Sequence, residues 1–136
     1  MDFRRILVQL SSCLAIGLLG LGCAAAQPSP QGYPALYTSA NLPQYPNALL
    51  TDTGRQTTSL RDGLKLQLES TDPVPTIAAF YEEKIKQLGW TVPPQRVPTT
   101  TQYVSTYTKD DRYFQVMIVR TQDSVSTRIT ISYAQK

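Results

Sequence analysis

The segment "TDPVPTIAAFYEEKIKQLGW", Thr71 to Trp90, reads as the one long helix that follows the N-terminal leader. Asp72 is placed to accept hydrogen bonds from the free N–H groups of a first turn, and Pro73 suits a first helical position, where no N–H is needed. Val74, Ile77, Ala78, Tyr81, Ile85 and Leu88 recur at three- and four-residue spacing and make a single apolar stripe. Glu82, Glu83, Lys84, Lys86 and Gln87 fall mostly on the opposite side. Gly89 can take the left-handed conformation that ends a helix, and Trp90 starts a new direction. A helix with one apolar face needs a cover. No second long helical pattern is present, so the cover is expected to be a sheet.

Downstream, "TVPPQRVPTT" (91–100) is a proline-broken loop. Three strands are expected at 101–109, 112–122 and 125–134, joined by Asp110-Asp111 and Asp123-Ser124. Two-residue turns place Tyr107 opposite Phe114, Ser105 opposite Val116 and Tyr103 opposite Ile118. They also place Ile118 opposite Ile129, Val116 opposite Ile131 and Phe114 opposite Tyr133. All six pairs fall on one face, which should receive the helix stripe. The other face carries Val104, Thr106, Tyr113, Gln115, Met117, Val119, Arg128, Thr130 and Ser132. It is polar apart from an apolar island at Val104, Met117 and Val119, and with Tyr113 that island is a candidate partner face. An ordinary solvated sheet face is the plain alternative.

Upstream of the helix, Leu64, Leu66 and Leu68 alternate with Lys65, Gln67 and Glu69, as in a strand with one buried face. Thr57–Arg61 and Leu64–Ser70 flank Asp62-Gly63, a dipeptide suited to a two-residue hairpin turn. "LPQYPNALL" (42–50) is expected as an extended lead-in closing one edge of the core. The fold class is therefore α+β: an antiparallel sheet of about five strands with one long helix on one face, in the order β-β-α-β-β-β. Residues 24–44, rich in Pro, Ser, Ala and Gln, read as a flexible tether in which Tyr33 and Tyr37 are incidental.

Arg4 and Arg5, then an apolar run from Ile6 to Leu21, then small residues, make an export signal too short for a comfortable membrane span. Gly20-Leu21-Gly22-Cys23 resembles the lipobox of bacterial lipoproteins, which implies cleavage before Cys23 and lipid attachment to its sulfur. Two alternatives stand beside it. Ala24-Ala25-Ala26 suits an ordinary signal peptidase, or the segment stays as an uncleaved anchor. The expected division is 1–22 signal, 23–44 lipid-anchored tether and 45–136 a single domain. The implied location is a membrane facing the periplasm or cell exterior.

"YPNALL" (Tyr45–Leu50), a strand hairpin and then "FYEEKIKQLGW" (Phe80–Trp90) together resemble a recurrent, uncharacterised bacterial envelope domain that often follows a lipoprotein signal. The resemblance covers about residues 42–134, and Asn47 stands where glycine is usual, a residue that also tolerates left-handed backbone. It implies structural roles: Phe80 and Tyr81 pack, Gly89 caps, and Trp90 plugs the helix end against the sheet. About activity it implies almost nothing.

Composition narrows the function classes. The chain has no histidine, and cleavage before Cys23 leaves only that cysteine, so His-based metal sites, Ser-His-Asp triads, cysteine nucleophiles and intrachain disulfides are excluded. From Cys23 onward the side chains carry 11 basic and 9 acidic groups, with the basic ones scattered, which argues against nucleic acid. Glu82 and Glu83 diverge by about 100° on a helix, and Asp110-Asp111 lacks the ligand spacing of a calcium loop. No metal or cofactor is expected, and an enzyme is disfavoured for want of convergent polar groups. The leading expectation is a lipid-anchored, non-enzymatic interaction or assembly module with a protein partner in the envelope. The alternative is a small-ligand carrier with a pocket between helix and sheet near Tyr81, Trp90, Tyr103 and Tyr107, aromatics that alternation alone also explains as core.

Overall fold

The structure is a computed structural model and describes residues 32–58, 61–94 and 97–135, without the side chains of 56–58, 61 and 62. The expected signal, Cys23 and the first part of the tether lie outside the described residues. The elements run α1 (Ala35–Ser39), β1 (Leu49–Thr58), β2 (Arg61–Ser70), α2 (Val74–Gln87), β3 (Gln102–Lys109), β4 (Arg112–Arg120) and β5 (Thr127–Gln135). The five strands form one antiparallel sheet in the order β1-β2-β5-β4-β3. One long helix lies on one face of this sheet, giving the expected α+β architecture.

Register follows the alternation of side chains. Tyr103, Ser105 and Tyr107 pair with Ile118, Val116 and Phe114, and these pair in turn with Ile129, Ile131 and Tyr133. Leu68, Leu66 and Leu64 extend the same three rows across β2. Leu66, Leu68, Phe114, Val116, Ile118, Ile129 and Ile131 are fully buried. Because side chains alternate with a period of two, any one-residue slip would put this whole set in water.

α2 buries Val74, Ile77, Ala78, Tyr81 and Ile85, lying against β3 and β4. Its C-terminus closes as expected. Gly89 sits at φ +74°, its N–H bonds the Lys86 carbonyl, and the Trp90 N–H reaches back to Ile85 O at 3.2 Å. Lys109 Nζ donates to the Leu88 carbonyl from the neighbouring strand. The N-terminus differs from expectation. Pro73, not Asp72, is the N-cap, and no side chain caps the first turn. Pro75 offers no N–H, Thr76 N bonds the Pro73 carbonyl at 3.1 Å, and the Asp72 carboxylate accepts from Tyr45 and Asn47 instead.

Two turns also differ. Thr58 pairs with Arg61, Thr57 with Asp62 and Gln56 with Gly63, so Asp62-Gly63 lies inside β2 and the connection falls on positions 59–60. Strand pairing with β5 begins at Gly63, and that ladder outweighs the dipeptide's turn preference. Between β4 and β5 the strands stop at Arg120 and resume at Thr127, leaving a six-residue loop centred on the expected Asp123-Ser124. The Arg120 guanidinium bonds the Ser124 and Val125 carbonyls within it, both at 3.2 Å. The loop is symmetric about the expected turn, so the register is unchanged.

The largest correction is upstream. α2 covers only the β3–β4 half of the sheet, so the buried leucines of β2 need another roof. Residues assigned to the tether contribute to it. Tyr37 is fully buried on α1, and Leu42 and Tyr45 join the same core cluster. Packing of the domain therefore begins well before residue 45, and Tyr37 is a core residue.

Candidate functional site

The four aromatics assigned to a ligand pocket do come together, on the inner face of the sheet and the underside of α2. Tyr81, Trp90 and Tyr107 surround Phe114, with ring centroids 6.0–6.3 Å from it. Each of the four is buried. Tyr103 Oη donates to Glu82 Oε1 at 2.7 Å and lies 3.0 Å from Tyr107 Oη. Burial, then these two bonds, push the Tyr103 hydroxyl well above its ordinary pKa. Glu83 turns the other way and accepts from Gln87 Nε2 at 2.9 Å. On this side of α2 the polar groups satisfy one another, as a buried network must.

On the other flank of α2 they do not. Tyr81 is fully buried, and its hydroxyl has no hydrogen-bond partner among the described residues. Burial raises its pKa strongly, with the Tyr33 and Tyr45 hydroxyls adding to the effect. Tyr33 Oη is likewise buried without a partner; the Tyr45 backbone offsets part of its upward shift without reaching hydrogen-bonding geometry. Tyr37, stacked on Tyr33 at 5.1 Å, donates its hydroxyl to the Pro43 carbonyl. Tyr45 packs edge-on to Phe80 at 5.0 Å and lies 6.2 Å from Tyr81. Four tyrosines thus gather where the lead-in crosses α2, and two of their hydroxyls are orphaned.

Asp72 fastens this arrangement. Its Oδ2 accepts from Tyr45 Oη and from Asn47 Nδ2, the latter at 3.1 Å. Its carbonyl accepts from Thr127 Oγ1 at 2.7 Å, and its N–H bonds Ser70 Oγ. The bonds from Tyr45 and Asn47 hold its carboxyl below the usual aspartate range. Tyr33, Tyr37, Tyr45 and Asp72 were not candidates from the sequence. The signal was the spacing of tyrosines and prolines in "YPALYTSANLPQYP" (33–46), which composition made look like linker.

The outer face keeps its apolar island. Val104 pairs with Met117, and Met117 and Val119 are 39% and 38% exposed. Tyr113 stands apart, opposite Thr108 and separated from Met117 by the Gln115 row. Val104 borders a shallow depression with Pro93, Thr106 and Gln115, and another with Val97, Thr99 and Gln102. No helix among the described residues is long and apolar enough to cross a membrane.

A family model described as START domain-like matches residues 50–127, more than half of the chain. This span lies inside the stretch that carries the resemblance to an envelope domain; it includes β1 from Leu50, β2, α2, β3 and β4, and it stops at the first residue of β5 and leaves out the tyrosine-bearing lead-in. No curated protein and no solved structure matches the chain.

Proposed function

This chain belongs to the START domain-like family, and from that premise we propose that it is a lipid-anchored, non-enzymatic carrier of a small apolar ligand taken up between α2 and the sheet. The family's fold is compatible with ligand binding. One observation carries the reading: the buried, unpartnered Tyr81 hydroxyl at the helix–sheet junction. An orphan donor in a packed core costs free energy on the order of 1–3 kcal/mol, and a ligand that accepts its hydrogen bond would return it. The anchor is the lipid on Cys23, and the carrier works at the outer side of that membrane. Titration of the protein with Nile red checks the reading: saturable, one-to-one binding that unlabelled apolar competitors displace is expected. Linear, non-displaceable uptake would count against it.

An interaction module remains the second reading, because Val104, Met117 and Val119 are contiguous on the outer face. Its check is crosslinking of the membrane-attached protein. Partners lost on Met117→Glu would favour that surface over the helix–sheet gap.

A further inference from the structure

Apolar side chains that water can reach are gathered at one end of the sheet. Leu49, Val97, Met117, Val119 and Val125 are between 38% and 86% exposed. Among the described residues only Leu36, on α1, is a large exposed hydrophobic elsewhere. Register makes them neighbours. Leu49, Glu69, Arg128, Val119 and Gln102 are successive partners across the strands and form the last row of the outer face. Met117 and Val104 pair in the row behind it. Val97 borders the start of β3 beside Gln102 and Val104. Val125 is in the β4–β5 loop, which leaves the sheet where Arg120 N bonds the Thr101 carbonyl at 2.8 Å. The row of Tyr113, at the hairpin end of the same face, presents no such group.

Shape and chain path indicate what covers this corner. Val97 and Val125 stand on loops and are 86% and 79% exposed, so they project instead of lining a groove. A protein would need matching hollows, whereas the boundary zone of a bilayer closes round projecting apolar groups of any outline. The lead-in also lies at this end. Tyr45 and Asn47 bond Asp72, whose carbonyl accepts from Thr127 Oγ1 at the start of β5, and the Tyr33 hydroxyl lies near the Tyr45 backbone. Gly32, the first described residue, is nine positions after Cys23, and a chain of that length spans at most about 30 Å. The ten residues of β1 alone extend about 33 Å. A lipid on Cys23 would thus keep the domain within its own length of the bilayer.

We propose, resting on the lipid-anchor part of the reading above, that this corner of the sheet is seated in the bilayer to which Cys23 is attached. Val97 and Val125 enter the boundary between headgroups and acyl chains, with Val119, Met117 and Leu49 behind them. Charge is not the attraction. Arg128 stands beside Glu69 in the same row, so the contact is driven by burial of apolar area. The opposite end carries Lys84 and Lys86 in the last turn of α2, with Lys109 bonded to the Leu88 carbonyl. Orientation by charge on an anionic surface would present that end instead. The two orientations bury different residues.

The test uses the chain expressed with its leader, purified from membranes and reconstituted into phosphatidylcholine vesicles, with and without phosphatidylglycerol. Intact mass checks the lipid on Cys23. The vesicles contain dibrominated acyl chains, which quench tryptophan on contact. Val97→Trp and Val125→Trp put a reporter in the corner, Tyr113→Trp puts the same ring at the hairpin end, and buried Trp90 is the common background. The corner reporters are expected to be quenched and the Tyr113→Trp reporter spared, in both kinds of vesicle and at high salt. Adding Val97→Asp to Val125→Trp should lower the docked fraction about tenfold, the worth of one valine side chain withdrawn from an apolar site. Equal quenching of all three reporters, stronger quenching of Tyr113→Trp, or loss of the corner signal at high salt overturns the seat. An unquenched corner in protein that carries the Cys23 lipid overturns it too and leaves the anchor standing. A protein crosslinked from position 125 in native membranes would then assign the corner to that protein. Absence of lipid on Cys23 removes the anchor and the seat together.

Discussion

Asp72 shows how a residue's role depends on what its neighbours leave it. Pro75 removes one donor from the first turn of α2, and the Asp72 carboxylate turns outward and ties Tyr45 and Asn47 to the helix. The folded carboxyl is held below its unfolded pKa, so its contribution to stability is fully present above the unfolded value. It is lost as pH falls through the folded one. Acidification below about pH 4 should therefore lower the melting temperature of the wild type more than that of Asp72→Asn. Equal acid sensitivity of the two would argue that the bonds from Tyr45 and Asn47 add nothing. Tyr81 was legible as a member of the apolar stripe, but not as an orphan donor. Spacing places a side chain on a face and says nothing about what meets its terminal oxygen.

α2 was readable almost in full. Three signals agree on it: a stripe at helical period, a glycine at its end and an aromatic to reverse the chain. The left-handed Gly89 and the back-bond from Trp90 N to Ile85 O complete the stop. Ile85 is fully buried in the stripe. Ile85→Ala should cost about 2–5 kcal/mol in denaturant melts, and a loss near zero would contradict the packing of α2 on the sheet. α1 was not readable. Five residues are too few for a periodic pattern, and helices that short do not stand alone; it exists because Tyr37 is buried. The β1–β2 turn failed for a related reason. Asp62-Gly63 has the right local chemistry, yet the pairing of β2 with β5 already extends to Gly63.

The whole molecule joins a START domain-like body to an N-terminal strap that the family match does not include. The proposed lipid on Cys23 would fix the strap's upstream end near a membrane. Cys23→Ser is expected to move the protein from the membrane pellet to the soluble fraction. Unchanged pelleting would remove the lipid anchor from the proposal. The core is accordingly larger than the sheet and α2 alone would give, because Tyr37, Leu42 and Tyr45 join it.

Sequence alone determined α2 and the three C-terminal strands with their register, and it misplaced β1 and its turn. It could determine the former because alternation with period two and a stripe with period 3.6 are local records of which face is buried. It also determined the absence of histidine chemistry, a matter of inventory. Only the tertiary structure decided that Tyr37 belongs to the core, that Asp72 holds Tyr45 and Asn47, and that Tyr81 ends in an unmet hydroxyl. These depend on contacts between groups as much as 36 positions apart, Tyr45 with Tyr81, where no periodicity links one to the other. Packing chose those partners from the space that one helix left uncovered.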